Sequence, residues 1–230
     1  MTKVIKNKMK HDLKNPKDPG SAWTHFIAML ATLLFSPVLL QKASQTGSRA
    51  FVISMAIFIY TMVGLYLAST CYHTFNLSPT INRRLKKWDH LMIFIMIAGS
   101  YTPISLIVVG GKKGFFLCLS VWIVAILGMI MKAFWIYCPK WFSSIIYVAM
   151  GWMCLPIVKT LYSKLSGKGF AWLLLGGVIY TIGGIIYAIK LPRFDAKHKN
   201  FGSHEIFHLF VMLGSFCHIV LMFRFLPPFV

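Results

Sequence analysis

Seven stretches of about 20 apolar residues, separated by short connections, restrict the fold of this 230-residue chain more than any other feature. Each stretch is long enough for one helix to cross the hydrocarbon core of a bilayer. Every backbone polar group in lipid needs a hydrogen-bond partner, which favours helices over strands here. The sequence therefore predicts an all-α, polytopic membrane protein with seven transmembrane helices. We place these helices near residues 21–41, 51–73, 89–109, 114–134, 141–161, 170–190 and 203–226.

The composition excludes an ordinary soluble domain. Hydrophobic residues make up 57% of the chain and charged residues only 13%, whereas a soluble domain has about a quarter charged residues. Intrinsic disorder is excluded too, because it requires low hydrophobicity. The net charge of +19 raises the question of nucleic acid. The basic residues divide between two membrane faces, so we expect membrane lipids as partners and no nucleic acid.

Two regions are expected along the chain. Residues 1–20 form a basic arm, which we expect to be solvated and largely flexible or to lie on the membrane surface. Residues 21–230 form the seven-helix transmembrane domain. Of the 24 lysines and arginines, 16 fall on the side of the arm and eight on the other side. The excess of basic residues predicts a cytoplasmic N-terminus and an outside C-terminus in the cell membrane.

Two further patterns concern the shape of the bundle. Pro103 and Pro156 lie inside apolar segments, and each is expected to kink its helix. Gly177, Thr181 and Gly184 form a stripe of small residues on the sixth segment. Such a stripe favours close packing of helices and implies no chemistry.

Titratable side chains gather where three segments reach the predicted cytoplasmic side. His204 and His208 are four residues apart, so their rings project from one helical face. Zn²⁺ accepts imidazole nitrogens, and His73 would complete a site with three histidines and an open fourth position. That arrangement is typical of catalytic zinc. The residues that gather at this depth are Ser69, His73, Asp89, His90, His204, Glu205 and His208.

The two remaining residues with a predicted catalytic role are Asp89 and Ser69. The open fourth position would hold a water molecule. Asp89 could accept a proton from this water as a general base, and Ser69 could orient the water or donate a hydrogen bond to an oxyanion. Each residue alone also has a simpler interpretation. Asp89 could cap a helix N-terminus, Ser69 could bond its own backbone, and the histidines could be hydrogen-bonded or interfacial. Their coincidence at one depth favours a functional site.

A second motif overlaps the first. The residues from His204 to His208 read H-E-x-x-H, the signature of zinc proteases, in which Glu205 would be the general base. Glu205 could equally be an acid of the first turn, favoured by the helix dipole. His218 lies about 15 Å further along a helix, which is too far for a third ligand. We expect His218 to be packed and hydrogen-bonded, and His25 to be interfacial or, less simply, to line the same cavity. His90 points away from Asp89 and is a weak candidate.

Three stretches carry a resemblance to a known family: Leu67 to Phe75 (LASTCYHTF), Lys87 to Pro103 (KWDHLMIFIMIAGSYTP) and Gly202 to His218 (GSHEIFHLFVMLGSFCH). The sequence resembles the hemolysin III family of bacterial membrane proteins. This family is grouped with the progestin and adiponectin Q receptors and, more distantly, with alkaline ceramidases. The resemblance implies seven helices and a cytoplasmic N-terminus.

The resemblance also implies roles for residues of the site. It implies zinc ligands at His73, His204 and His208, an acid beside the zinc-bound water at Asp89, and a supporting residue at Ser69. Adiponectin receptors have a glutamine where Glu205 stands, which argues against the protease. The chain departs from its relatives at Ser21-Ala22-Trp23-Thr24-His25, where they usually have Asn-x-x-Thr-His.

These patterns together predict a zinc-dependent hydrolase that cleaves an acyl lipid at an amide bond near the inner leaflet. The alternative is a non-enzymatic protein that senses or maintains the membrane, with zinc bracing the helices. A pore-forming hemolysin and an intramembrane metalloprotease are weaker alternatives. No polar stripe runs through all seven segments, as an ion pathway would require.

Overall fold

Ten α-helices make up nearly all of the computed structural model, which describes residues 3–189, 191–198 and 201–227; no strand is present in these ranges. Seven helical stretches of this described part are long and apolar enough to cross a bilayer. The prediction of an all-α protein with seven membrane-spanning helices is confirmed. The helices are α1 (Lys3–Lys14), α2 (Pro19–Ser44), α3 (Arg49–Thr74), α4 (Pro79–Pro103), α5 (Gly111–Phe134), α6 (Lys140–Gly151), α7 (Val158–Lys164), α8 (Gly167–Ile189), α9 (Pro192–Lys197) and α10 (Ser203–Arg224).

The third span begins about ten residues earlier than predicted, which changes the position of Asp89. The side chain of Ser78 accepts a hydrogen bond from the Ile81 N–H, and Pro79 occupies the first turn. The polar turns after Pro79 belong to the same helix and extend it on the N-terminal side of its apolar part. Asp89 therefore lies inside α4, and the expectation that it opens or caps this helix was wrong. The apolar pattern marks the lipid-facing length of a helix and not its first residue.

The α-helical hydrogen-bond pattern changes next to both internal prolines, the positions at which we predicted kinks. At Pro103 the pattern of α4 changes to a π-helical turn over Ile104–Val109. Pro156 lies in a 3-10 turn, Leu155–Ile157, that separates α6 from α7 within the fifth span. A proline has no backbone N–H and clashes with the preceding turn, which explains the interruption at Pro156.

The basic arm contains α1, and its end is hydrogen-bonded to the bundle. The last carbonyls of α3 have no partner within that helix, and residues after α1 satisfy them. The Lys17 N–H donates to Thr74 O (3.1 Å), the Asp18 N–H donates to His73 O (2.9 Å), and the Lys17 ammonium donates to Tyr72 O (2.7 Å). The junction between α1 and α2 is thus attached to the end of α3.

The buried core is centred on α3 and α4, whereas the outer helices present apolar side chains outward. Phe58 and Met62 of α3 and Phe94 of α4 are fully buried. Leu34 and Phe134, by contrast, are 80% and 86% exposed. Large exposed apolar side chains on long helices are expected where the solvent is lipid.

Helices α8 and α10 approach each other closely beside the predicted stripe. A Cβ atom at Gly183 would stand 2.7 Å from Phe210 Cβ, but at Gly177 it would meet nothing within 4 Å. Gly177, Thr181 and Gly184 line a cavity, described below. The expectation that this stripe marks close packing was therefore wrong for Gly177. Gly184 faces α6, where an added Cβ atom would stand 3.1 Å from the side chain of Val148.

Lys132 was counted among the basic residues that flank the membrane, but its side chain is buried inside the protein at 2% exposure. Its ammonium donates to Ser143 Oγ (2.8 Å) and contacts Cys138 Sγ (3.0 Å). These contacts tie the end of α5 to the start of α6. The charge of Lys132 is therefore no evidence for the orientation of the chain.

Candidate metal centre

Three histidines from two distant parts of the chain meet at one end of the bundle. His73 closes α3, while His204 and His208 lie in the first two turns of α10. One ligand atom of each ring lies within 4.8 Å of the others, so the group could hold a metal ion. His73 and His208 are 3% and 2% exposed. The structure thus brings together the three residues that spacing singled out.

Two of the three rings, those of His73 and His208, make the hydrogen bonds expected of metal-binding histidines. The Nδ1 atom of His73 is bonded to Asp18 Oδ2 (2.9 Å), and the Nδ1 atom of His208 contacts Thr24 Oγ1 (3.2 Å). The Thr24 hydroxyl also contacts backbone carbonyls, to which it donates, so it can accept from His208. Both rings therefore keep Nε2 available as a lone-pair donor.

The spacing of one pair of ring nitrogens also fits a tetrahedral ion. The Nε2 atoms of His73 and His204 are 3.2 Å apart. Two nitrogens bound to one zinc at about 2.0–2.1 Å would stand about 3.3 Å apart. Among the residues that the structure describes, the Nδ1 atom of His204 has no hydrogen-bond partner. This donor set, three imidazoles with no thiolate, suits a first-row transition metal such as zinc.

Asp18 is the supporting residue that sequence reasoning missed. It precedes the first residue of α2, and its carboxylate fixes the orientation of the His73 ring. Partial burial acts to raise the pKa of Asp18, but the bond from His73 and the nearby Lys17 charge outweigh it, so the pKa lies below its ordinary value. An acid directly before a proline at a membrane boundary, in a chain with only five acids, was the available signal.

His25 packs directly against the histidine group. Its ring stacks on that of His208, with centroids 3.7 Å apart and planes 5° from parallel. It is 3% exposed, and neither of its nitrogens has a partner among the described residues. The interfacial role that we expected is wrong, and the alternative that His25 lines the cavity is confirmed.

Asp89 and Ser69 lie in the same cavity as two of the three histidines. Ser69 is 1% exposed and Asp89 is 8% exposed, and both line the cavity wall beside His204 and His208. Asp89 is not part of the three-histidine group. Its carboxylate lies 3.3 Å from the Nδ1 atom of His90, which also bonds the Lys86 carbonyl, so the expectation that His90 points away from Asp89 was wrong. The catalytic roles of Asp89 and Ser69 stay predictions.

Glu205 serves the N-terminus of α10. Its carboxylate accepts hydrogen bonds from the Gly202 N–H (2.8 Å) and from the Ser21 hydroxyl. It does not line the cavity. The neighbouring Ser203 donates through its N–H and its hydroxyl to Asp195, and these bonds lower the pKa of Asp195. The arrangement favours the capping interpretation of Glu205 over the protease interpretation.

A cavity of about 190 Å³ leads from the histidine group into the bundle. All spans except α5 contribute to its wall, which is mostly apolar. It reaches past Leu173 and Gly177 of α8 to Leu161 of α7. His218 also lines it and is packed as predicted, although the Nδ1 atom of this ring lacks the expected hydrogen bond within the described residues.

The fold and the site define a multi-pass membrane protein with a buried group of three histidines at one end of a seven-helix bundle. A family model described as haemolysin-III related matches residues 13–219, and the chain belongs to this family. The prediction made from the three sequence stretches is therefore confirmed.

Two bacterial relatives match over most of their length. The chain is 34% identical to Hemolysin-3 of Bacillus cereus over 197 residues, which cover 85% of both chains. It is 37% identical to the Hemolysin-3 homolog of Bacillus subtilis (strain 168), over 85% of this chain and 88% of that protein. The adiponectin receptor protein of Drosophila melanogaster is 26% identical over 87% of this chain and 49% of its own length.

Proposed function

We propose that this protein is a zinc-dependent hydrolase that cleaves an acyl lipid at an amide bond. One observation carries the proposal: two of the three grouped histidines, His204 and His208, line a mostly apolar cavity whose wall also contains Asp89 and Ser69. Polar groups of this kind inside a membrane bundle are costly and are functional candidates by default. An apolar cavity that ends in a few convergent polar groups is the usual form of a ligand site.

Each residue has a defined task in this proposal. His73, His204 and His208 would hold the ion, with Asp18 and Thr24 fixing two of the rings. Zinc, when bound, supplies a Lewis acid that polarises a carbonyl and makes hydroxide available near neutral pH. Asp89 would accept the proton from the attacking water and later return it to the amine that leaves. Ser69 would donate a hydrogen bond to the carbonyl oxygen, and the apolar wall would receive the acyl chain.

The site lies at the end of the bundle where α1 is attached. With the N-terminus in the cytoplasm, as the basic residues favour, this end faces the inner leaflet of the cell membrane. Removal of Lys132 from the count lowers the excess of basic residues only slightly, so the proposal stands. A periplasm-dependent reporter fused to the C-terminus should be active, and the same reporter at the N-terminus should be silent.

The test is hydrolysis of a panel of long-chain lipid amides by detergent-purified protein. Asp89→Asn should lower the rate by about 10²–10⁴-fold and keep the metal, because the proton acceptor alone is lost. His208→Ala should lose both the rate and the metal. Asp195→Asn, an acid outside the cavity, is the matched control. Wild-type hydrolysis no faster than that of His208→Ala, with zinc supplied, contradicts the proposal.

A second candidate is a non-enzymatic membrane sensor in which the metal braces the bundle. The ligands support it, because they join α3 to α10 and the arm holds one of them. This candidate predicts that a chelator lowers the unfolding temperature while no lipid amide is hydrolysed. Hydrolysis of a lipid amide that is lost in Asp89→Asn would favour the hydrolase over the sensor.

A further inference from the structure

The far end of the cavity holds one polar group that the protein does not satisfy. His218 is only 7% exposed, and its ring lines the cavity. The Nδ1 atom of this ring has no hydrogen-bond partner among the residues described. A buried polar atom without a partner is destabilising, and such atoms in native proteins call for a water or a ligand.

The other polar side chains in this part of the wall have partners. The Tyr101 hydroxyl donates to Gly151 O (2.6 Å), and the Tyr180 hydroxyl contacts Ser215 Oγ (2.9 Å). The hydroxyls of Ser100 and Thr181 bond backbone carbonyls of their own helices. His218 is thus distinguished from its surroundings by its missing partner.

The protein also fixes the place of the His218 ring. The ring stacks on that of Tyr180, with centroids 5.5 Å apart and planes 19° from parallel. Its edge lies against Gly176, where a Cβ atom would stand 3.0 Å from the Nε2 atom. The imidazole is therefore held at a set depth in the cavity.

That depth can be compared with the position of the metal centre. His218 follows His208 by ten residues of α10, which corresponds to about 15 Å along the helix axis, or an extended alkyl chain of about a dozen carbons. Both side chains tilt toward the start of the helix, so the rings keep this separation. A linear ligand that fills the cavity would place its middle or later carbons beside His218.

We infer that the cavity takes an acyl chain with a hydroxyl group about a dozen carbons from the carbonyl, and that His218 binds this hydroxyl. The inference rests on the proposed function for the position of the carbonyl at the metal centre. A neutral imidazole offers one donor and one acceptor, and a hydroxyl can pair with whichever of the two its accessible nitrogen presents. An unsubstituted chain would leave the imidazole unpaired.

The experiment uses detergent-purified, zinc-loaded protein and radiolabelled octadecanoic acid as the displaced probe. The competitors are octadecanoic acid, 12-hydroxyoctadecanoic acid and 2-hydroxyoctadecanoic acid, the last having its hydroxyl at the wrong end. Wild-type protein should prefer the 12-hydroxy acid over octadecanoic acid on the order of two- to tenfold, the effect of one hydrogen bond. His218→Leu should lose this preference, and His218→Gln should keep part of it. The response to the 2-hydroxy acid should be the same in all three proteins.

The inference is wrong if neither acid binds, if the wild type shows no preference, or if His218→Leu retains it. Unchanged zinc content in the variants confirms that they are folded. The readout is binding and does not require turnover. Hydrolysis of lipid amides without the preference would contradict this inference alone, and the preference without hydrolysis would contradict the proposed activity alone.

Discussion

Asp18 controls the histidine site through the orientation of one ring. The carboxylate of Asp18 is hydrogen-bonded to the Nδ1 atom of His73. The backbone N–H of Asp18 donates to the His73 carbonyl. A carboxylate in this position raises the basicity of the ligand and fixes its tautomer. Loss of such a partner usually weakens metal binding without removing a ligand.

We predict that Asp18→Asn weakens zinc binding by about 10- to 100-fold, because the amide is a poorer acceptor for the imidazole N–H. Competition with a chromogenic zinc chelator measures the affinity. Asp12→Asn is the matched control, since Asp12 is another acid of the arm and accepts from the Asn76 N–H, away from the histidines. Equal zinc affinity in the two variants would contradict a supporting role for Asp18.

Sequence reasoning singled out the three histidines of this group but not the residues that hold their rings. The spacing of His204 and His208 is a property of a single helix, so periodicity is sufficient to place their rings on one face. Asp18 and Thr24 reach His73 and His208 only through tertiary contacts between distant segments. Periodicity carries no information about such contacts.

At the scale of the helices, glycines decide how closely α8 approaches α10. Gly183 faces Phe210, and Gly214 on α10 faces the ring of Tyr180, where an added Cβ would stand 2.7 Å away. The sequence indicated that α8 carries small residues but not which neighbour each of them meets. Glycines that are adjacent in sequence lie about 100° apart on a helix, so Gly176 packs on α10 while Gly177 lines the cavity.

We predict opposite effects for alanine at two glycines of this helix. Gly183→Ala should destabilise the protein by about 1–3 kcal/mol, because the new methyl group overlaps the fixed Cβ of Phe210. Gly177→Ala should be neutral or stabilise by up to about 1 kcal/mol, since nothing lies near the new atom and alanine favours the helix. Unfolding in detergent monitored by circular dichroism gives both values. A Gly183→Ala protein as stable as Gly177→Ala would show that the two helices are further apart.

At the scale of the whole molecule, the bundle brings the end of α3 beside the start of α10, which follows it by about 130 residues. The number and type of the spans could be predicted, because hydropathy and length determine them in lipid. The cavity and the contact between the end of α3 and the start of α10 could not be predicted, since they depend on which helices neighbour each other. An ion held by His73, His204 and His208 would join these two spans and would stabilise the folded state by its binding free energy.

The most direct test of this account is the metal content of protein purified in detergent without chelators, measured by inductively coupled plasma mass spectrometry. Wild-type protein should carry about one zinc per chain, and the triple variant His73→Ala/His204→Ala/His208→Ala should carry none. The control variant His11→Ala/His198→Ala/His218→Gln changes three histidines outside the group and should keep its zinc. Wild-type protein without zinc, or a triple variant that retains a full equivalent, would contradict the assignment of this site.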